Sequence, residues 1–149
     1  MARGAAAGGI AAAVWAAQQP LDKRVLGCSY DDVELLGRMV APDGPARRWY
    51  PAGLAMHVGN GALFGAVYGG LLVPTVLAPV PAALRGPLVV QAENFGLWPL
   101  GRLSDRFHPG RKHLTPLTGN RRALAQATWR HMLFGVVLGE LERRWNRAR

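Results

Sequence analysis

The sequence predicts an all-α fold: a polytopic membrane four-helix bundle, built as two repeated helical hairpins with a short interfacial helix between the first two spans. Three observations predict it. Half of the 149 residues are hydrophobic and only 18% are charged, with the charges gathered between long uncharged blocks. One such block, 52–72, contains no Asp, Glu, Lys or Arg, and at about 1.5 Å per residue it extends roughly 31 Å, close to the hydrocarbon thickness of a bilayer. Small residues also recur every fourth position in two separate blocks, the spacing that lets helix backbones approach closely in lipid.

The elements follow in order. The first helix, about 4–19, is rich in Ala and Gly and closes at Gln19-Pro20. Arg3, the alanine run and Val14-Trp15-Ala16 also fit a signal peptide, but the repeat described below favours a retained helix. Next, CSYDDVELLGRMVAPDG places Ser29 three residues before Asp32, a capping-box-like start. Val33, Leu36 and Val40 then give an apolar stripe, so a short helix over about 30–40 is expected to lie in the interface and end at Pro42. The second long helix covers 52–73 and the third 84–102. The prolines of PTVLAPVPAALRGP forbid one continuous helix between them. A polar, basic, Pro- and Gly-rich loop leads to the fourth helix, 123–142. Trp49, Tyr50, Trp98 and Trp145 stand at helix ends, where aromatic rings mark membrane interfaces.

The repeat is visible in two motifs. Gly53, His57, Gly61, Gly65 and Gly69 recur at four-residue spacing, and Ala127, His131, Gly135 and Gly139 reproduce it as H-x3-G-x3-G. Each His is therefore expected on a helix-contact face. Pro20-Leu21-Asp22-Lys23 and Pro99-Leu100-Gly101-Arg102 share P-L-x-[KR], which makes each half a helix, a polar connection and a His-Gly-Gly helix related by an axis along the membrane normal.

Charge narrows the functional classes. The single Cys28 excludes an intrachain disulfide framework. The net charge of +9 comes from basic residues flanking apolar runs rather than from one face with stacking aromatics, so anionic lipid headgroups are the expected counter-charge and nucleic acid is not. The loops after helices one and three hold 11 basic residues and the other side six, Arg147 and Arg149 included. This count puts the richer side in the cytoplasm, against the basic tail RRWNRAR.

Glu93 and Arg130 fall near the middles of helices three and four. Opposite charges at equal depth should meet, since a lone charge at the bilayer centre costs about 2.5–3.5 kcal/mol. A Glu93–Arg130 contact is expected, direct or through Asn94, Gln91 or Gln126. The repeat counterparts, Val14 and Met56, are uncharged. One use of the pair is a polar clamp that fixes helix register. The other is a midplane polar site in which Glu93, His57, His131 and Asn60, with Tyr68 further along the same face, handle protons or a small solute. His57, His131 and Glu93 also suit zinc or iron by residue type, but no HExxH or comparable spacing accompanies them, so no metal and no cofactor is expected. No GxSxG or other activated nucleophile is present, and GNGALFG lacks the spacing and preceding strand of a dinucleotide loop. Catalysis is the least expected use, a membrane-embedded enzyme with His57, His131 and Glu93 around a metal.

These residues resemble a known family. The Gly/Ala-rich first helix followed by Pro20-Leu21, the His-bearing helix running through FGAVYG to Pro74, the third helix ending at Pro99-Leu100, and the last helix with His131, Phe134 and E-x-R-R of Glu142, Arg143 and Arg144 are similar to the YagU-like bacterial inner-membrane proteins. The resemblance implies a multi-pass protein of the bacterial cytoplasmic membrane and an association with acid resistance, and it implies no site residues. The chain departs from that pattern in its shorter connection between helices one and two and in Arg130 beside His131. Together these readings give two expectations: a small oligomeric membrane protein with a polar midplane site for proton or solute transport or sensing, or a non-catalytic scaffold or assembly subunit.

Overall fold

A computed structural model describes residues 1–146. Arg147 and Arg149 of the charge count lie outside the described residues. The chain is all-helical, with no strand among the described residues: α1 Ala2–Leu26, α2 Asp32–Val40, α3 Ala46–Val67, α4 Ala82–Leu97, α5 Gly101–Phe107 and α6 Arg121–Asn146. A π-helical turn, Tyr68–Leu72, extends α3 toward Pro74, and a 3-10 turn, Trp98–Leu100, joins α4 to α5.

Four long helices form, but several ends differ from expectation. α1 runs straight through Pro20 and ends only at Gly27, whose positive φ of 58° makes the left-handed cap that glycine adopts freely. Proline removes one donor but did not stop this helix. The expected 84–102 helix breaks at Trp98-Pro99-Leu100, where α5 begins. At α2 the cap is Asp31, whose side chain accepts from the Glu34 backbone N–H at 2.9 Å, rather than Ser29. α2 also packs against α3 through its glycines instead of lying apart: a Cβ on Gly53 would stand 2.0 Å from the Val33 carbonyl oxygen.

Among the described residues, no helix is long and apolar enough to cross a membrane. This corrects the multi-pass expectation, for a reason visible element by element. α1 is long, but its apolar content is mostly alanine and glycine, and Asp22, Lys23 and Arg24 lie within it. α3 starts six residues before the uncharged block and takes in Arg47 and Arg48. α4 has only 16 residues, and α6 carries Arg121, Arg122, Arg130, Glu140, Glu142, Arg143 and Arg144.

Helices α1 and α3 run antiparallel at backbone contact. A Cβ on Gly8 would fall 2.0 Å from the Gly61 carbonyl oxygen and one on Gly4 2.3 Å from that of Gly65. Helices α4 and α6 form the matching pair, with a Cβ on Gly86 falling 2.1 Å from the Gly135 oxygen and 3.2 Å from the Gly139 Cα. Side chains above this contact also correspond: Ala12 covers Gly61 and Val90 covers Gly135. α1 and α6 join the two pairs. The core between them is Ala7, Ala11, Ala12, Trp15, Tyr68, Leu77, Val90, Phe134 and Leu138.

Candidate functional site

Two polar centres lie on opposite sides of α6, because adjacent residues on a helix point about 100° apart. Arg130 faces α1, and His131 faces α4.

Arg130 is completely buried, at 0% exposure. Its Nε and one terminal nitrogen donate to the two oxygens of Asp22, each at 2.6 Å, in a bidentate pair. The other terminal nitrogen donates to Asp32 at 2.8 Å. The Tyr30 carbonyl accepts a further bond at 3.0 Å, and the guanidinium lies 5.4 Å from the Tyr30 ring centre. Asp22 also accepts from Gln126 at 2.6 Å and Gln18 at 2.7 Å, while Asp32 accepts from the Tyr30 hydroxyl at 2.5 Å and the Trp15 indole at 3.2 Å. Burial alone would push the Asp22 carboxyl up, but the bonds from Arg130 and Gln126 and the guanidinium charge hold it below its ordinary value. Burial likewise opposes the Arg130 charge, yet Asp22 and Asp32 raise its affinity for the proton. Burial, and then the Asp32 charge, keep the Tyr30 hydroxyl protonated well beyond its usual range.

The expected Glu93–Arg130 contact is absent. Arg130 pairs instead with Asp22, in the last turns of α1, and with Asp32, at the start of α2. Glu93 instead lies across from His131, with 3.6 Å between the carboxylate and Nε2. Burial raises the Glu93 carboxyl above its ordinary value, with His131 opposing. Gln91 and Asn94 hold α4 to α6 through Thr128, at 2.8 Å to its carbonyl and 3.3 Å to its hydroxyl respectively.

Glu93, Asn94 and His131 share a cleft of about 240 Å³, walled by Leu35, Leu97, Trp98, Leu100 and Leu117. His57 does not reach it. The edge of Trp15 separates the two imidazoles, with ring centres 5.2 Å from His57 and 4.7 Å from His131. Among the described residues His57 Nε2 is buried without a partner, as is Gln126 Oε1, and burial pushes the His57 imidazole below its ordinary value despite the opposing Asp32 charge. Asn60 is exposed and outside both centres, whereas Tyr68 is buried beside Gly139. Gly61, Gly65, Gly135 and Gly139 lie at the helix contacts expected of them, Gly69 touches Gly4, and Gly53 packs on α2. Among the described residues, no three His, Cys, Asp or Glu side chains come together as metal ligands.

Asp22, Asp32 and Tyr30 are the site residues that sequence reasoning missed. A signal existed in Asp31-Asp32: the residue just before the first helical turn is the natural cap, which frees its neighbour for Arg130. The fold and site thus define an all-α protein with two glycine-contacted helix pairs, a buried charge centre and a separate polar cleft. No protein-family model, curated protein or solved structure matches the chain.

Proposed function

We propose that this chain is a non-catalytic helical scaffold that associates with lipid, its internal charges locking the helices together while its outward faces rest in an apolar surrounding. One observation carries the reading: every long helix bears an exposed apolar stripe. Ile10, Val14, Leu21 and Val25 line one face of α1; Met56, Leu63 and Val67 one face of α3; Leu84, Leu88 and Phe95 one face of α4; and Trp129, Met132 and Val136 one face of α6. Such spacing is one-sided on each helix. A protein partner covers one patch, whereas stripes on four helices suit a surrounding medium. Exposed cations at the helix ends, among them Arg24, Arg47, Arg48, Arg102, Arg121 and Arg122, favour anionic headgroups. None of this requires a helix to cross the bilayer. Self-association through the same stripes is part of the proposal.

Liposome flotation tests it. The chain is expected to float with vesicles of phosphatidylcholine and phosphatidylglycerol and to stay bound in high salt. A chain that remains monodisperse in lipid-free buffer and ignores both vesicle types contradicts the reading.

A second reading, a site that senses or moves protons or a small solute, is favoured by the half-buried Glu93 carboxylate facing His131 in an open cleft. Its check is an NMR titration of the Glu93 carboxylate followed at the neighbouring Asn94 side-chain amide, a pH response that Glu93→Gln should abolish.

A further inference from the structure

The His131 ring has a defined hydrogen position. Its Nδ1 lies 2.8 Å from the Ala127 carbonyl oxygen, and a carbonyl can only accept, so Nδ1 carries the proton. In the neutral ring, Nε2 therefore presents a lone pair toward Glu93, 3.6 Å away. The Glu93 carboxylate is also an acceptor, and among the described residues no N–H or O–H group donates to it. Two acceptors thus face each other across a gap too long for a direct hydrogen bond and open to a cleft. What the place lacks is a donor with at least two N–H bonds and a positive charge.

The rest of the cleft describes the remainder of such a ligand. Its lining contains no Lys or Arg, and Glu93 is its only carboxylate. Its walls are Leu97, Leu100, Leu117 and the Trp98 indole, an apolar and aromatic surface beside the charged end. Its volume of about 240 Å³ is below the roughly 300–1,000 Å³ of drug-sized sites, which limits the ligand to a small molecule. The bonds joining Gln91 and Asn94 to Thr128 keep α4 and α6 in register beneath it, so the opening between Glu93 and His131 is preformed.

We propose that this cleft binds a small organic ammonium ion with an apolar body, the ammonium donating one N–H to Glu93 and another to His131 Nε2, the body lying against Trp98 and Leu117. The proposal names the solute class of the second reading above and rests on it. A hydrated inorganic cation would leave the apolar walls unused. A transition metal would find two ligands where stable sites use three or four.

Calorimetric titration of the full-length chain near neutral pH tests this with phenethylammonium, its neutral analogue 2-phenylethanol, its anionic analogue phenylacetate, and zinc ion. Phenethylammonium should bind saturably, the alcohol about tenfold more weakly or worse and the acid not measurably, as loss of a desolvated charge pair would give. Glu93→Gln should weaken the amine by about tenfold or more without shifting the thermal midpoint. Ser104→Phe, which puts a ring into the cleft from α5 and leaves the Glu93 carboxylate in place, should do the same and covers the case in which Glu93→Gln misfolds. Equal binding of all three organic probes, undiminished amine binding in both variants, displacement of the amine by zinc, or no saturable amine binding would each overturn the proposal. If the Asn94 amide still reports a Glu93-dependent pH response while no amine binds, the ligand assignment fails and the proton-responsive reading stands.

Discussion

The two helix pairs share a backbone contact and differ in what stands on it. In α1/α3, Gly8 meets Gly61 with Ala12 above; in α4/α6, Gly86 meets Gly135 with Val90 above. Continued three residues, this register sets Trp15 opposite Glu93. The first pair is therefore sealed: Trp15 is buried against His57 and reaches over to Asp32. The second opens, because a carboxylate in the equivalent place leaves a cleft beside His131. Glycine contacts determine how closely the helices lie, and the residue one turn above decides whether the gap is filled or available.

The largest effect should come from the centre that the two pairs share. Arg130→Met leaves the buried Asp22 and the partly buried Asp32 without their cation and is expected to cost about 3–5 kcal/mol, lowering the thermal midpoint by on the order of 10 °C in a circular-dichroism melt. The glycine contacts come next. Gly8→Ala and Gly86→Ala each drive a methyl against a carbonyl oxygen, and each should cost about 1–3 kcal/mol by chemical denaturation. Unequal losses would break the equivalence of the pairs.

A smaller effect depends on pH. His57 is held below its ordinary value of 6.5, so the unfolded chain binds the proton more tightly. Its stability contribution is complete above that value and is lost as pH falls through the lower folded one. Asp22, held below 3.8, acts in the same direction in more acid solution, its contribution fading as pH drops below that value. Glu93 has the opposite sign: raised above 4.5, it favours the folded state most below that value and loses this as pH rises through the folded one. His57→Phe should flatten the fall in melting temperature below about pH 6.5, because it removes the group that the folded chain holds uncharged. The smallest change belongs to Glu93→Gln, within about 0.5 kcal/mol of wild type at neutral pH, because the carboxylate is only half-buried and no group among the described residues donates to it.

Much of the helix packing was legible because glycine spacing reports a local geometric need. Gly61, Gly65, Gly135 and Gly139 at four-residue intervals could be read directly as contact faces, and the His residues on those faces do meet other helices. The charge pairing was not legible in the same way. With Pro20 as a helix stop Asp22 falls outside the bundle, and with Asp32 in a cap Glu93 is the carboxylate that matches Arg130 in depth. A two-residue shift of the cap, from Ser29 to Asp31, and a proline accommodated within a helix change the partner. Depth was also a poor guide. Glu93 and Arg130 do occupy similar positions along their helices, but direction around the helix decides contact, and Arg130 points toward α1. The uncharged block at 52–72 suggested a span because an apolar count does not show that α3 begins earlier, with arginines in its first turn.

The most direct test is a pair of double-mutant cycles on thermal or denaturant stability, one joining Arg130→Met with Asp22→Asn and the other joining Arg130→Met with Glu93→Gln. A coupling of about 2–3 kcal/mol is expected between positions 130 and 22 and less than about 0.5 kcal/mol between 130 and 93. The reverse ranking would contradict the separation of a structural charge centre from an open cleft.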